Sequence, residues 1–267
     1  MNTILNSSFL FDMMNHLQSK LILVDTRAFN EYAQGHIPGA VNIDLMQFHW
    51  LDTTRQGIVQ FNKQMKLLLN YLGIDSSSHV VFYDRISGPT ASRGVWLLNY
   101  FSLQNAFILD GGFEYWTNLN YPTETTTNQF QHNKSNYKIN KSVLADVQYV
   151  KDSINSDKDV VIIDCRSEAE YLGIIVRAFH RGHIPKSKNI DWIHNLENEN
   201  FLEFDKLKKF YSFISNQTEI ITYCQGGYRA ANTYLVLKHL GYENVRMYLG
   251  SWGEWGNNPN LPVEKRG

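Results

Sequence analysis

Cys224 heads the segment Cys224-Gln225-Gly226-Gly227-Tyr228-Arg229, directly after the apolar run Glu219-Ile220-Ile221-Thr222-Tyr223. A thiol in such a place can serve as a nucleophile if it ionises. Two adjacent glycines allow backbone conformations closed to other residues, so the loop can curl and aim its N–H groups inward as an anion-binding nest. A helix expected to begin near Arg229 adds the partial positive charge of its N-terminus, and Arg229 adds a full one. A thiol held there is expected to ionise well below its free pKa of about 8.5. The plain alternative is a small buried hydrophobe, the common fate of a single cysteine. Strand, glycine loop and helix together favour the reactive thiolate.

The second cysteine, Cys165, lies between Asp164 and Arg166 at the end of another apolar run. It reads as structural filler. Asp164 and Arg166 are expected to form an internal ion pair that fixes the next loop, with a substrate contact from Arg166 as the other possibility. Two cysteines do not make a disulfide-rich secreted scaffold, and nothing has the spacing of metal ligands.

The elements around these residues occur twice. Asp25 and Asp164, Arg27 and Arg166, Glu31 and Glu170, and Tyr32 and Tyr171 are each 139 positions apart. Gly35-His36-Ile37-Pro38 returns 147 positions later as Gly182-His183-Ile184-Pro185, and Asn42-Ile43-Asp44 as Asn189-Ile190-Asp191. The second copy therefore carries eight extra residues, around Gly173 to Arg181. The offset is 139 again at Gly111 and Gly250 and at Trp116 and Trp255. Such register over a half-chain means a duplicated domain. The Gly-His-Ile-Pro turn is present in both copies, so His36 and His183 read as structural. Cys165 faces Thr26 in the first copy, which argues against thiol chemistry there.

Within each copy, short β-branched runs at 21–24, 80–83 and 106–109, and at 160–163, 219–223 and 245–248, alternate with helical patterns at 91–101 and 229–240. That alternation predicts an α/β fold, each copy an open parallel sheet with helices on both faces. Ligands of such sheets gather at the carboxyl ends of the strands, where Cys224 stands. The expected domains are 1–122 and 141–267, joined at 123–140 by a surface linker rich in Thr, Asn, Gln and Lys.

The 267 residues carry 25 basic and 26 acidic side chains, a net charge of −1. No broad field attracts nucleic acid or an anionic membrane, so any anion site is local. The N-terminal segment reads as a first helix rather than a signal peptide. No apolar stretch approaches a membrane span, and a reduced, cytoplasmic setting is the simplest expectation.

The repeated Asp-x-Arg, Glu-Tyr, Gly-His-Ile-Pro and Asn-Ile motifs, the cysteine loop and the ending Gly250-Ser251-Trp252-Gly253-Glu254-Trp255-Gly256 resemble rhodanese homology domains. The tandem arrangement is similar to thiosulfate and 3-mercaptopyruvate sulfurtransferases. The resemblance implies two rhodanese-like domains and a ping-pong reaction, in which Cys224 takes a sulfur from a small anionic donor as a persulfide and yields it to cyanide or a thiol, a thioredoxin-like one among the candidates. Loop N–H groups from Gln225, Gly226, Gly227, Tyr228 and Arg229 would hold the persulfide, and no cofactor is implied. The first copy has Tyr83-Asp84 where the second has Tyr223-Cys224, so its role is expected to be structural. Arg177, His180 and Arg181 lie in the insertion, where Arg177 and Arg181 are candidates for attracting the donor. Two positions depart from the animal thiosulfate enzymes: Glu170 replaces a basic residue before Tyr171-Leu172-Gly173, and Gly226 replaces one in the loop. Neither does the loop match the Cys-Gly-Ser-Gly-Val-Thr of 3-mercaptopyruvate enzymes. Thiosulfate is the expected donor, with 3-mercaptopyruvate as the alternative. Two other classes compete. Phosphatases of this fold have five residues between cysteine and arginine where four stand here, and the intact cysteine loop with Gly226, Gly227 and Arg229 argues against a non-enzymatic binding module.

Overall fold

The computed structural model describes residues 3–17 and 20–265. Two compact units emerge. The first comprises 1–48, 62–140 and 196–201; the second comprises 49–61, 141–195 and 202–267. Each is built chiefly from one sequence copy, and each includes a short segment from the other. The linker stretch belongs to the first unit, where Asn128 and Asn133 donate side-chain hydrogen bonds to Ala40 O (3.0 Å) and Ile74 O (2.9 Å).

In the first unit, strands β1 (Ile4–Leu5), β2 (Leu21–Asp25), β3 (Val41–Asn42), β4 (His79–Tyr83) and β5 (Ala106–Leu109) form a sheet of order β1-β5-β4-β2-β3, parallel throughout. Its helices are α1 (Ser7–His16), α2 (Phe29–Gln34), α3 (Arg55–Tyr71), α4 (Pro89–Tyr100) and α5 (Gly112–Asn118), with the early part of α3 belonging to the second unit. Alternation along the strands settles which face meets which helix. Leu23, Val81, Tyr83 and Leu109 pack with Leu10 and Met13 of α1 and Trp116 of α5. Phe82 points the other way, against Gly94 of α4, where there is no room for a Cβ.

The second unit repeats this plan. Its sheet runs β6 (Leu144–Ala145), β12 (Val245–Tyr248), β11 (Glu219–Tyr223), β7 (Val160–Asp164), β8 (Lys188–Asn189), also parallel throughout. Ile162, Ile221, Tyr223 and Tyr248 pack with Val150 and Ile154 of α6 (Val147–Ile154) and with Trp252 and Trp255 of α10 (Ser251–Trp255). On the opposite face Thr222 donates to Ala230 O of α9 (Tyr228–His239) at 3.1 Å. The remaining helices of this half-chain are α7 (Glu168–Tyr171) and α8 (Phe204–Phe210), and the hairpin β9 (Leu196–Glu197)–β10 (Asn200–Phe201) belongs to the first unit.

The repeated motifs do the same work in both units. Arg27 donates to Asp25 at 2.6 Å and to Gly35 O at 2.8 Å, and Arg166 to Asp164 at 2.6 Å and Gly182 O at 2.9 Å. His36 stacks on Tyr32, and His183 on Tyr171, each with centroids 3.7 Å apart. Trp116 and Trp255 each donate to the carbonyl of a following proline at 2.8 Å. These buried bonds satisfy groups that would otherwise be costly to hide. Among the described residues, no helix is long and apolar enough to cross a membrane.

Candidate active site

Both central strands, β4 and β11, are buried along nearly their whole length and end in a tyrosine. Tyr223 fixes the end of β11: its hydroxyl donates to Asp164 at 2.6 Å and accepts from Ile184 N–H at 3.1 Å. The next residue is Cys224. Its own N–H donates to Ser251 Oγ (3.2 Å), its carbonyl accepts from Trp252 N–H (2.9 Å), and Gln225 O accepts from Gly253 N–H (2.8 Å). The 250–256 motif thus clamps the first half of the loop from outside. The second half turns back on the sulfur. Gly227 takes φ +88°, caps α9, and donates its N–H to Cys224 Sγ at 3.1 Å. Sulfur, inward N–H and the start of a twelve-residue helix are therefore assembled at one point, the arrangement that stabilises a thiolate or persulfide anion.

Gly227→Ala tests that turn. A left-handed φ strains an L side chain, so the substitution is expected to lower stability by about 1 kcal/mol and to slow alkylation of Cys224 at neutral pH. Alkylation as fast as in the unsubstituted protein would show that the Gly227 N–H does not govern the thiolate.

Arg229 does not stand alone beside the sulfur. Its Nη1 and Nη2 donate to the two carboxylate oxygens of Glu170 at 2.6 and 3.0 Å. Burial opposes charge on Arg229, but Glu170 and Cys224 outweigh it and raise its pKa further. Burial likewise pushes Glu170 up, yet the bonds from Arg229 and from Ser167 hold it down to about 2. Ser167 and Glu170 also form a capping box at the start of α7. Glu170 is thus the counter-ion that positions Arg229. The repeat concealed this pairing, because the equivalent Glu31 occurs in a copy without an equivalent arginine.

The insertion brings Arg177 to the same carboxylate, 3.5 Å from Glu170, and its carbonyl accepts from Gln225 Nε2 at 3.2 Å. Arg177 remains largely exposed, and Arg181 is exposed. Around them Ile174, Val176 and Phe179 are 73%, 53% and 73% exposed, an apolar edge on the insertion. Arg166 is placed otherwise. It is 1% exposed, paired with Asp164 and Gly182 O, and lies over the Trp252 ring at 4.6 Å. Its Nε and Nη2 have buried partners in Asp164 and Gly182, so the structure places it in the internal ion pair expected of it.

Cys165 is fully buried, and burial pushes its thiol pKa well up. In the first unit, Asp84 follows β4 and turns its carboxylate into its own loop. It accepts from Arg85 N–H (2.7 Å), Thr90 N–H (3.2 Å) and the Thr90 hydroxyl. The side chain fills the nest that an external anion would occupy, and burial raises its pKa.

Sequence reasoning missed one part of the site. Segment 49–61 belongs to the second unit. Thr53 donates its N–H and hydroxyl to Glu254 at 2.7 and 2.5 Å and accepts from Val147 N–H at 2.8 Å, while Leu51 lies against Gly253. His49 stacks on Tyr228, centroids 5.8 Å apart and planes at 16°. No local signal marks these residues, since they reach the loop from the other half of the chain.

The rhodanese-like domain family matches this chain twice, over residues 11–119 and 146–258. A thiosulfate sulfurtransferase of Azotobacter vinelandii is 33% identical over 250 residues, covering 92% of this chain and 91% of that protein. One of Pseudomonas aeruginosa is 31% identical over 248 residues, with the same coverage. The solved structure of SseA from Escherichia coli, a 3-mercaptopyruvate sulfotransferase by its description, superposes with a TM-score of 0.81 at 24% identity, covering 94% of this chain and 99% of that one. At that identity the superposition speaks for the fold. Two family matches and relatives aligned over nine-tenths of the sequence lead to one conclusion: the chain belongs to the rhodanese-like domain family and is a tandem-domain sulfurtransferase of the rhodanese type.

Proposed function

We propose that the protein moves a sulfane sulfur from thiosulfate to a thiophilic acceptor through a persulfide on Cys224. The observation that carries the reading is the Gly227 N–H held 3.1 Å from Cys224 Sγ at the mouth of α9. In the first half-reaction the thiolate attacks the outer sulfur of thiosulfate. A new S–S bond forms at Cys224, the S–S bond of the donor breaks, and sulfite leaves with the electron pair. In the second, cyanide or a thiolate attacks the outer persulfide sulfur and restores the Cys224 thiolate, releasing thiocyanate or an acceptor persulfide. Such exchange depends on thiolate fraction and access. Inward N–H groups help because they are already oriented when the charge arrives. A thiol acceptor, including a thioredoxin-like one, fits the second step, and a reduced cytoplasmic setting suits a free thiolate.

Thiosulfate is favoured over 3-mercaptopyruvate because the two curated relatives described above bear that activity in their names, and because a tight nest suits a compact dianion. A keto acid needs separate, spaced contacts for its carboxylate and carbonyl. Exposed Arg177 and Arg181 supply positive charge that draws the donor in. Steady-state rates of thiocyanate formation with each donor, at one pH and salt concentration, test the preference. A kcat/KM higher for thiosulfate is expected. A value more than about tenfold higher for 3-mercaptopyruvate, equivalent to about 1.4 kcal/mol, would reverse the assignment of donor and leave the persulfide step standing.

A further inference from the structure

After the matched Asn-Ile-Asp motifs, each copy makes one 3-10 turn, Leu45–Phe48 in the first and Trp192–Asn195 in the second. The chain then changes unit at the same position, at His49 and at Leu196. In both units the arriving segment lies on the loop that follows the central strand. In the first, Ser87 N–H donates to Glu199 O at 3.0 Å and Phe201 N–H to Asp110 at 2.8 Å. In the second, the Thr53–Glu254 bonds hold the segment down. Glu254 has no acidic counterpart in the first copy, where Tyr115 stands 139 positions earlier.

This placement puts an imidazole on the cysteine loop and an aliphatic side chain at the matching place in the other unit. His49 is exposed, lies parallel to Tyr228, and sits over Gly226. The three atoms nearest to a Cβ built on Gly226 all belong to the His49 ring, with Nδ1 at 2.8 Å and Nε2 at 2.9 Å. Gly226 does not take the left-handed backbone conformation that Gly227 does. Its turn therefore does not require glycine, whereas the His49 ring does.

We propose that His49 is a donor-positioning residue of the Cys224 site, its imidazole giving an N–H to the anionic end of the sulfur donor, and that Gly226 lacks a side chain to leave room for it. The inference rests on the sulfurtransferase reading above. It gives the donor a contact separate from Arg229, whose Nη1 and Nη2 each donate to Glu170.

A double-mutant cycle tests it, with steady-state kinetics on thiosulfate and cyanide and the thermal midpoint of each variant as a check on folding. His49→Ala is expected to raise KM for thiosulfate about tenfold, the scale of one hydrogen bond to a charged group, with kcat within about twofold and the midpoint unchanged. Gly226→Ala is expected to raise KM similarly in the otherwise native protein, because its Cβ displaces the ring, and to add nothing in the His49→Ala background. His49→Gln, which keeps an N–H at similar reach, is expected to recover part of the loss. An unchanged KM in His49→Ala, or an equal Gly226→Ala penalty in both backgrounds, would overturn the inference. Mass spectrometry of the native protein after donor treatment separates the two layers. A normal persulfide with an unchanged KM in His49→Ala removes the role of His49 alone, and no persulfide from either donor removes the catalytic reading and this inference with it.

Discussion

Cys224→Ser is expected to abolish sulfur transfer, while Cys165→Ser keeps most of it. A serine hydroxyl cannot hold a transferable sulfur, so the loss should be on the order of a thousandfold or more, as when other enzymes lose their nucleophile. The two cysteines differ in setting more than in burial. Cys224 Sγ receives the Gly227 N–H at the end of the central strand. Cys165 follows an inner strand with its thiol pKa pushed well up by burial and its Sγ 3.8 Å from Ile163 O. The first unit shows why a hydroxyl is tolerated there: Thr26, at the equivalent position, donates to Tyr83 O at 2.9 Å. After treatment with donor, one extra sulfur is expected on the peptide containing Cys224. Finding it mainly on the peptide containing Cys165 would refute the assignment.

Arg229→Ala is expected to impair both chemistry and stability, for separable reasons. Loss of a charge beside the sulfur should lower kcat/KM by roughly ten- to a hundredfold. The stability effect comes through Glu170, whose side chain is only 3% exposed. Its pKa falls from the ordinary 4.5 to about 2 despite burial, because Arg229 and Ser167 hold the charged form. A depressed carboxylate pKa stabilises the fold above its unfolded value, and that contribution disappears as pH falls through the folded value. The pair should therefore contribute fully at neutral pH and be lost between about pH 4.5 and pH 2. The shift corresponds to about 3 kcal/mol. Arg229→Ala should thus be about 2–3 kcal/mol less stable than the native protein at pH 7 by urea denaturation, with the gap closing in acid. Replacing both partners, Glu170→Leu with Arg229→Met, should recover much of the stability but none of the activity, because no buried charge is then left unpaired. A stability gap that persisted unchanged at pH 2 would mean that Arg229 stabilises the fold through something other than Glu170.

The duplication and the parallel α/β class were legible in the residues alone, because each is carried by short-range pattern, and the same pattern singled out the nucleophile proposed above. Strands 219–223, 106–109 and 245–248 begin and end where their apolar runs do. The helix after Cys224 starts one residue earlier than expected, at Tyr228, because Gly227 in the left-handed conformation already serves as its cap. The Asp-x-Arg motif also announced its ion pair, since two residues separated by one turn position must meet locally. Tertiary structure decided what depends on distant partners. Arg229 meets Glu170, 59 positions earlier, and Glu254 meets Thr53, 201 positions earlier. Arg166, a candidate for substrate while only its charge was known, proved to be enclosed by Asp164, Gly182 and Trp252. The exchange of segments at His49 and Leu196 was invisible for the same reason. Periodicity reports which face of an element is apolar, but not which other part of the chain will cover it, and the ring over Gly226 is set by that second choice.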